Sequence, residues 1–328
     1  MAVSKTIFGE IDSEPVYLYK ISNKNQTSIS VLSYAATWQN FEVIEDGKKH
    51  SLIEHFDNLD DYIKTPYQVG KTIGRVAGRI KDASFQINGV DYQMEQNEGE
   101  NLLHGGSHGL QYQNFESKKV AENAVLLSHT VHGEDGFLGT LKVNVEYILN
   151  DDNEVSIIYS AETDHDTLFN PTCHVYFDVD DENIRQQKLQ INANSFLKVD
   201  DGKIPTGDFL ATDGPYDFKK AKTIGQGLDE LALLNKYEYD DAFVVDNRAA
   251  TIKSDKRAVD LYTDRNGMVI FTADPKDTEK TEKHEYSSLA MEMQTLPDAV
   301  HHLGFGDIVL GKGQKVVYTN KYKYRRFE

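Results

Sequence analysis

Apolar residues along this chain recur most often at every second position, the spacing that puts them on one face of a β-strand. Residues 140–149 alternate Leu141, Val143, Val145, Tyr147 and Leu149 with Lys142, Asn144 and Glu146. After a loop at 150–153, residues 154–160 complete a hairpin with them. Residues 85–94 carry Asn88-Gly89 between FQI and VDY, the dipeptide that closes a two-residue hairpin turn. Strands are also expected at 16–19, 27–34, 189–191, 242–245, 258–262, 268–271, 289–294 and 315–322. Helical spacing appears twice. Leu52, Ile53, Phe56, Leu59, Tyr62 and Ile63 predict a short amphipathic helix over 51–63 with Ser51 as N-cap, and 219–234 is a weaker candidate. The charged run 274–285 reads as a solvated loop. No fixed-period repeat, low-complexity tract or Pro/Gly/Ser-rich linker divides the chain. The expectation is one mostly antiparallel all-β domain over residues 1–328, with hairpins and few short helices.

The stretch 170–179, NPTCHVYFDV, separates two kinds of chemistry. Cys173, Val175, Phe177 and Val179 fall on one side and predict a core face. Thr172, His174, Tyr176 and Asp178 fall on the other, a row of hydrogen-bonding groups suited to a polar ligand, with His174 central and Tyr176 beside it. Taken alone, the strand favours a structural histidine held by a neighbour. In LAMEMQTL, Leu289, Met291 and Met293 oppose Ala290, Glu292 and Gln294. A carboxylate among small and apolar neighbours is desolvated, which raises its pKa and makes it a better base. Asp240-Asp241 in YEYDDAFVV reads as turn residues, one of which faces inward if the following strand is buried. His104 precedes Gly105-Gly106, so the four-residue spacing to His108 does not lie on a helix and loses its meaning as a metal pair. His129/His132 and His301-His302 come without a third ligand in a recognisable pattern, and no metal is expected. TIGRVAGRI lacks the Lys-Ser/Thr of a phosphate loop, so its glycines read as close-packing positions.

With a formal net charge of −18, the surface repels phosphate backbones and anionic lipid, which argues against nucleic acid or membrane partners. Cys173 is the single cysteine, so the fold does without disulfides, as suits a reducing cytosol. The first eight residues show no basic and apolar export signal, and no apolar run approaches the ~18 residues of a membrane span. A cytoplasmic protein, monomeric or weakly dimeric, is expected.

Seven segments in order, SYAAT, GRVAGRI, NLLHGG, PTCHVYFDV, YDDAF, VDLYTDRNG and LAMEMQTLPDAV, resemble the aldose 1-epimerase (galactose mutarotase) family over nearly the whole chain. The resemblance implies a large antiparallel β-sandwich, the galactose mutarotase-like supersandwich, with a sugar cleft on one face. It implies Glu292 as catalytic base, His174 as general acid, and Arg79, His104 and Asp241 as sugar-binding residues, with no metal or organic cofactor. Glu292 would take the C1 hydroxyl proton while His174 protonates the ring oxygen. The ring opens, the C1–C2 bond rotates, and closure gives the other anomer.

Three positions depart from the family pattern. Gly78 stands where asparagine commonly precedes the arginine, Cys173 where asparagine often precedes the histidine, and Arg265 where a glutamine often touches substrate. Arg265 either contacts an anionic sugar or points to solvent, the latter being favoured. A free hexose such as galactose or glucose is the leading substrate. The alternatives are maltose, a hexose phosphate, or a non-catalytic sugar-binding or sensor role.

Overall fold

The computed structural model describes residues 1–180 and 183–327. Three antiparallel sheets dominate. The first is a five-stranded meander: Ala2–Ile11, Glu14–Ser22, Ser28–Leu32, Trp38–Glu45 and Lys48–Ser51. The second has nine strands, at whose centre Glu154–Thr163 pairs with Lys315–Arg326, joining the middle of the chain to its C-terminal part. The third has six strands in the order Tyr176–Phe177, Ser288–Gln294, Gly267–Ala273, Asp240–Val244, Ser195–Val199 and Pro205–Ala211.

One core joins all three sheets. Ile29, Val31 and Phe41 from the first meet Val145, Tyr147, Tyr159, Leu261 and Tyr322 from the second, and Phe177, Phe243, Ile270, Met291 and Met293 from the third. Burying each such side chain contributes about 1.5–3 kcal/mol, and their alternation fixes the register of every strand. The hairpins expected at 85–94 and 140–160 are present, the first with Asn88 and Gly89 both at positive φ as a two-residue turn requires. A capping box of Thr223 and Gln226 opens the helix Ile224–Ala232, inside the weaker helical candidate.

The structure corrects other expectations. The helix predicted at 51–63 exists only as Leu59–Lys64, capped by Asn58, whose Oδ1 accepts the Asp61 amide at 2.9 Å. Residues 51–54 form no helix: Ser51 ends a strand and Ile53 bridges to Phe177. Leu52 and Ile53 are both in the core, and their stretch is tied to strands by Leu52 N–H to the Phe41 carbonyl and Glu54 N–H to the Tyr176 carbonyl. Sheet pairing therefore outweighs the helical spacing there. Residues 170–179 are not one strand. Thr172–Cys173 pairs with Thr72–Ile73, while Tyr176–Phe177 pairs with Ser288–Gln294, and the two-residue alternation survives the break. The charged run at 274–285 includes one helical turn, Thr278–Glu282, capped by Asp277.

Candidate active site

The third sheet is apolar on its core face and carries the candidate chemistry on the other. Register places Glu292 opposite Val269 and Val269 opposite Ala242. One row along, Tyr176 lies opposite Ala290, Ala290 opposite Phe271, and Phe271 opposite Asp240. Residues from 66–112 cover this face and enclose a cavity of about 440 Å³, whose wall includes Arg79, His104, His174, Tyr176, Asp240 and Glu292.

His174 is fixed by backbone on both sides: its N–H donates to the Lys71 carbonyl and its carbonyl accepts from Gly70, each at 2.9 Å. Glu292 sits mid-strand, with Met291 N–H donating to the Val175 carbonyl at 3.1 Å. These constraints leave His174 Nε2 3.4 Å from Glu292 Oε1, with both side chains almost wholly buried. Burial pushes the Glu292 carboxyl up to about 8, reinforced by the Asp240 charge and opposed by Arg79. Burial pushes the His174 imidazole down to about 3, with His104 adding to the effect. Near neutral pH the pair therefore holds one proton between its two members.

His104 lies edge-on to His174, with ring centroids 5.7 Å apart. Its backbone is left-handed at φ 53°, followed by Gly105 at φ 79°. A Cβ on Gly105 would come within 2.3 Å of the Gly74 carbonyl oxygen, so the chain passes there only without a side chain. The His104 Nδ1 accepts the Gly78 N–H at 3.2 Å. Burial, with Arg79 nearby, lowers the His104 pKa to about 4. Neutral His104 with Nδ1 accepting carries its proton on Nε2, a donor available to a ligand. Arg79 is held by a forked ion pair to Glu98 at 2.6 and 2.8 Å.

Two sequence-derived candidates lie elsewhere. Asp241 is not on the cavity wall; Asp240 is. The strand Asp240–Val244 puts Asp240 on the face of Ala242, and Asp241 on the face of Phe243, toward the core. Asp241 accepts the Asp240 N–H, and burial lifts its carboxyl to about 6. Asp240 instead meets Lys203 Nζ at 3.4 Å, and Lys203 also lines the cavity. Arg265 reaches neither cavity nor solvent. It is buried, donates to Thr295 Oγ1 at 3.1 and 2.7 Å and to the Asn170 side chain, and stacks 3.5 Å from the Tyr318 ring centroid. It thus ties the segment leading to His174 to the end of the strand bearing Glu292.

Sequence reasoning missed Asp240, Lys203 and Gln294 on the wall, and Tyr67, Gln68 and Tyr112 at one side of it. Buried Lys71 donates to Gln68 Oε1 at 3.0 Å and lies 5.3 and 5.6 Å from the Tyr34 and Tyr112 rings. His108 is separated from His104. It bonds Asp135 at 2.8 Å, and with Glu95 these residues bring three ligand-type atoms within 4.8 Å of one another, away from the cavity wall. Among the described residues, no helix is long and apolar enough to cross a membrane.

Comparison with known proteins finds relatives across nearly the whole chain. The profile of the family described as aldose 1-epimerase matches residues 17–323. The chain is 41% identical to maltose epimerase of Levilactobacillus brevis over 339 residues, covering 99% of this chain and 100% of that one. It is 28% identical to galactose mutarotase of Homo sapiens, covering 98% of each. Among solved structures, galactose 1-epimerase of Lactobacillus acidophilus superposes with a TM-score of 0.88 at 25% identity, covering 99% of each chain. With a family match over most of its length and a relative at 41% identity covering 99% of it, this chain belongs to the aldose 1-epimerase family of sugar isomerases.

Proposed function

We propose that the cavity interconverts the α and β anomers of a free reducing hexose through proton transfer by Glu292 and His174. The observation that carries this reading is the 3.4 Å approach of two buried groups whose proton affinities are displaced in opposite directions. In the form Glu292-carboxylate/His174-imidazolium, Glu292 accepts the C1 hydroxyl proton and His174 donates to the ring oxygen. The C1–O5 bond breaks as the C1 carbonyl forms. The products are the open aldehyde, a neutral carboxyl and a neutral imidazole, the protonation state that burial favours. Rotation about C1–C2 presents the other carbonyl face, and both protons return along the same paths. Arg79, His104 and Asp240 hold hydroxyls so that the reacting atoms stay aligned, and Tyr176, whose buried hydroxyl is unpartnered, lines the same cavity. Polarimetry on freshly dissolved α-galactose tests this. Wild type should accelerate mutarotation and Glu292→Gln should not. A wild type no faster than buffer would leave a sugar-binding protein in place of an enzyme.

A second reading concerns sugar size. Beyond Phe271 the wall continues to Tyr67, stacked at 6.4 Å from the Phe271 ring, and to Gln68 and Tyr112. Aromatic faces with polar rims suit a second sugar ring. The L. brevis relative bears the name maltose epimerase. Both support a reducing disaccharide whose reducing ring occupies the catalytic end. Rates on galactose, glucose, maltose, lactose and hexose 6-phosphates, with Tyr112→Ala beside wild type, separate the two readings. Selective loss on disaccharides supports the larger substrate.

A further inference from the structure

Gln294 is a buried polar group of the cavity wall, on the strand of Glu292, for which the proton-transfer scheme has no use. It is 1% exposed, lines the cavity, and its Nε2 has no hydrogen-bond partner. An unsatisfied buried amide costs about 1–3 kcal/mol, a cost that a bound hydroxyl would recover. Two neighbours define where that partner would sit. Gln294 shares a strand face with Glu292, two residues away, or about 6.6 Å along the strand. On its far side is Gly78, where a Cβ would stand 3.5 Å from Nε2 and 3.2 Å from Pro297 Cβ. With no side chain at position 78, no Cβ stands against the carboxamide, which lies on the cavity wall. Tyr176 and Phe271 flank the opposite end of the same strand face, so Gln294 occupies a different sector of the wall.

We propose that the Gln294 carboxamide binds a ring hydroxyl of the sugar on the Gly78 side of the anomeric centre, making it a specificity-determining residue. This inference rests on the mutarotase reading of the cavity. A carboxamide both donates and accepts, so it can bond a hydroxyl while that hydroxyl also bonds a neighbouring group. A site built around a substrate hydroxyl discriminates against the analogue that lacks it, because its own polar group is then left bare.

The test is a cycle pairing protein and substrate changes. Mutarotation of D-glucose and of its 2-, 3-, 4- and 6-deoxy analogues is followed with wild type, Gln294→Met, which keeps the length but removes the hydrogen bond, and Gln294→Asn, which withdraws the amide by one methylene. Gln294→Met should lower kcat/KM for glucose about 10–100-fold. With one deoxy sugar, the variant and wild type should be equal, since the contact is already missing. A penalty of the same size on all five sugars, or none on glucose, overturns the proposal. Should Gln294→Met fail to fold, the same comparison with Gln294→Asn decides it. A wild type inactive on every sugar would sink the catalytic reading instead, and the same cycle run on binding by calorimetry would then judge Gln294 alone.

Discussion

His174 Nε2 and Glu292 Oε1 stand 3.4 Å apart in a site that disfavours charge on both. The working pair carries one proton, so activity ends where a second is added or the first is lost. Those limits lie near 3, where His174 is protonated beside an already neutral carboxyl, and near 8, where Glu292 ionises beside a neutral imidazole. Ordinary values of 4.5 and 6.5 would confine the one-proton window between them. The expected kcat/KM profile is a broad plateau through neutral pH with an alkaline fall centred near 8. A narrow optimum between 4.5 and 6.5 would contradict the burial argument.

Glu292→Gln should cost about 10²–10⁴-fold in kcat while leaving sugar binding measurable. It should also stabilise the fold. Glu292 has a native pKa raised from 4.5 to about 8, so the stability it contributes is fully present below 4.5 and is lost as pH rises through 8. The glutamine variant is free of that loss. Its unfolding free energy should exceed that of wild type by a margin that widens from pH 5 to pH 8, reaching about a few kcal/mol, and its melting temperature should rise in step. Thermal melts across that range check it; a margin constant with pH would refute it.

Asp240→Asn and Asp241→Asn should behave oppositely despite their adjacency. The first removes a cavity carboxylate and should lower kcat/KM roughly 10–100-fold. The second removes a carboxylate whose pKa burial raises to about 6, so it should leave the kinetics alone and stabilise the protein above pH 6 by about 1–3 kcal/mol. Parallel kinetics and melts on the two variants decide the assignment.

Arg265→Lys should not be conservative. Lysine cannot reproduce the planar fork to Thr295 and Asn170 or the stacking on Tyr318. A loss of about 2–4 kcal/mol in urea unfolding is expected, with kcat falling more than KM rises.

The alternating strands were legible because a period of two needs only local sequence. That same alternation put His174, Tyr176 and Glu292 on polar faces, and the structure gathers all three on one wall. Where the reading failed, the deciding fact was non-local. Asp240 and Asp241 differ by one step of register, and the inward-pointing Phe243 was the available signal that Asp240, in phase with Ala242, takes the cavity side. Arg265 looked like a surface residue because its acceptors come from Asn170 and Thr295, distant in sequence. The helical spacing at 51–63 was real, but Leu52 and Ile53 bury themselves in strand contacts that no local pattern announces. Gln294 was visible as a polar residue beside Glu292, yet its missing partner could be seen only once Gly78 stood before it.

The clamp of Asn170, Arg265 and Thr295 lies off the cavity wall, while Tyr67, Gln68 and Tyr112 line it. The apparatus that sets the distance between acid and base is therefore anchored separately from the surfaces that would meet the rest of the sugar. A scaffold divided in this way can exchange one carbohydrate for another by remodelling its rim, without retuning the proton relay.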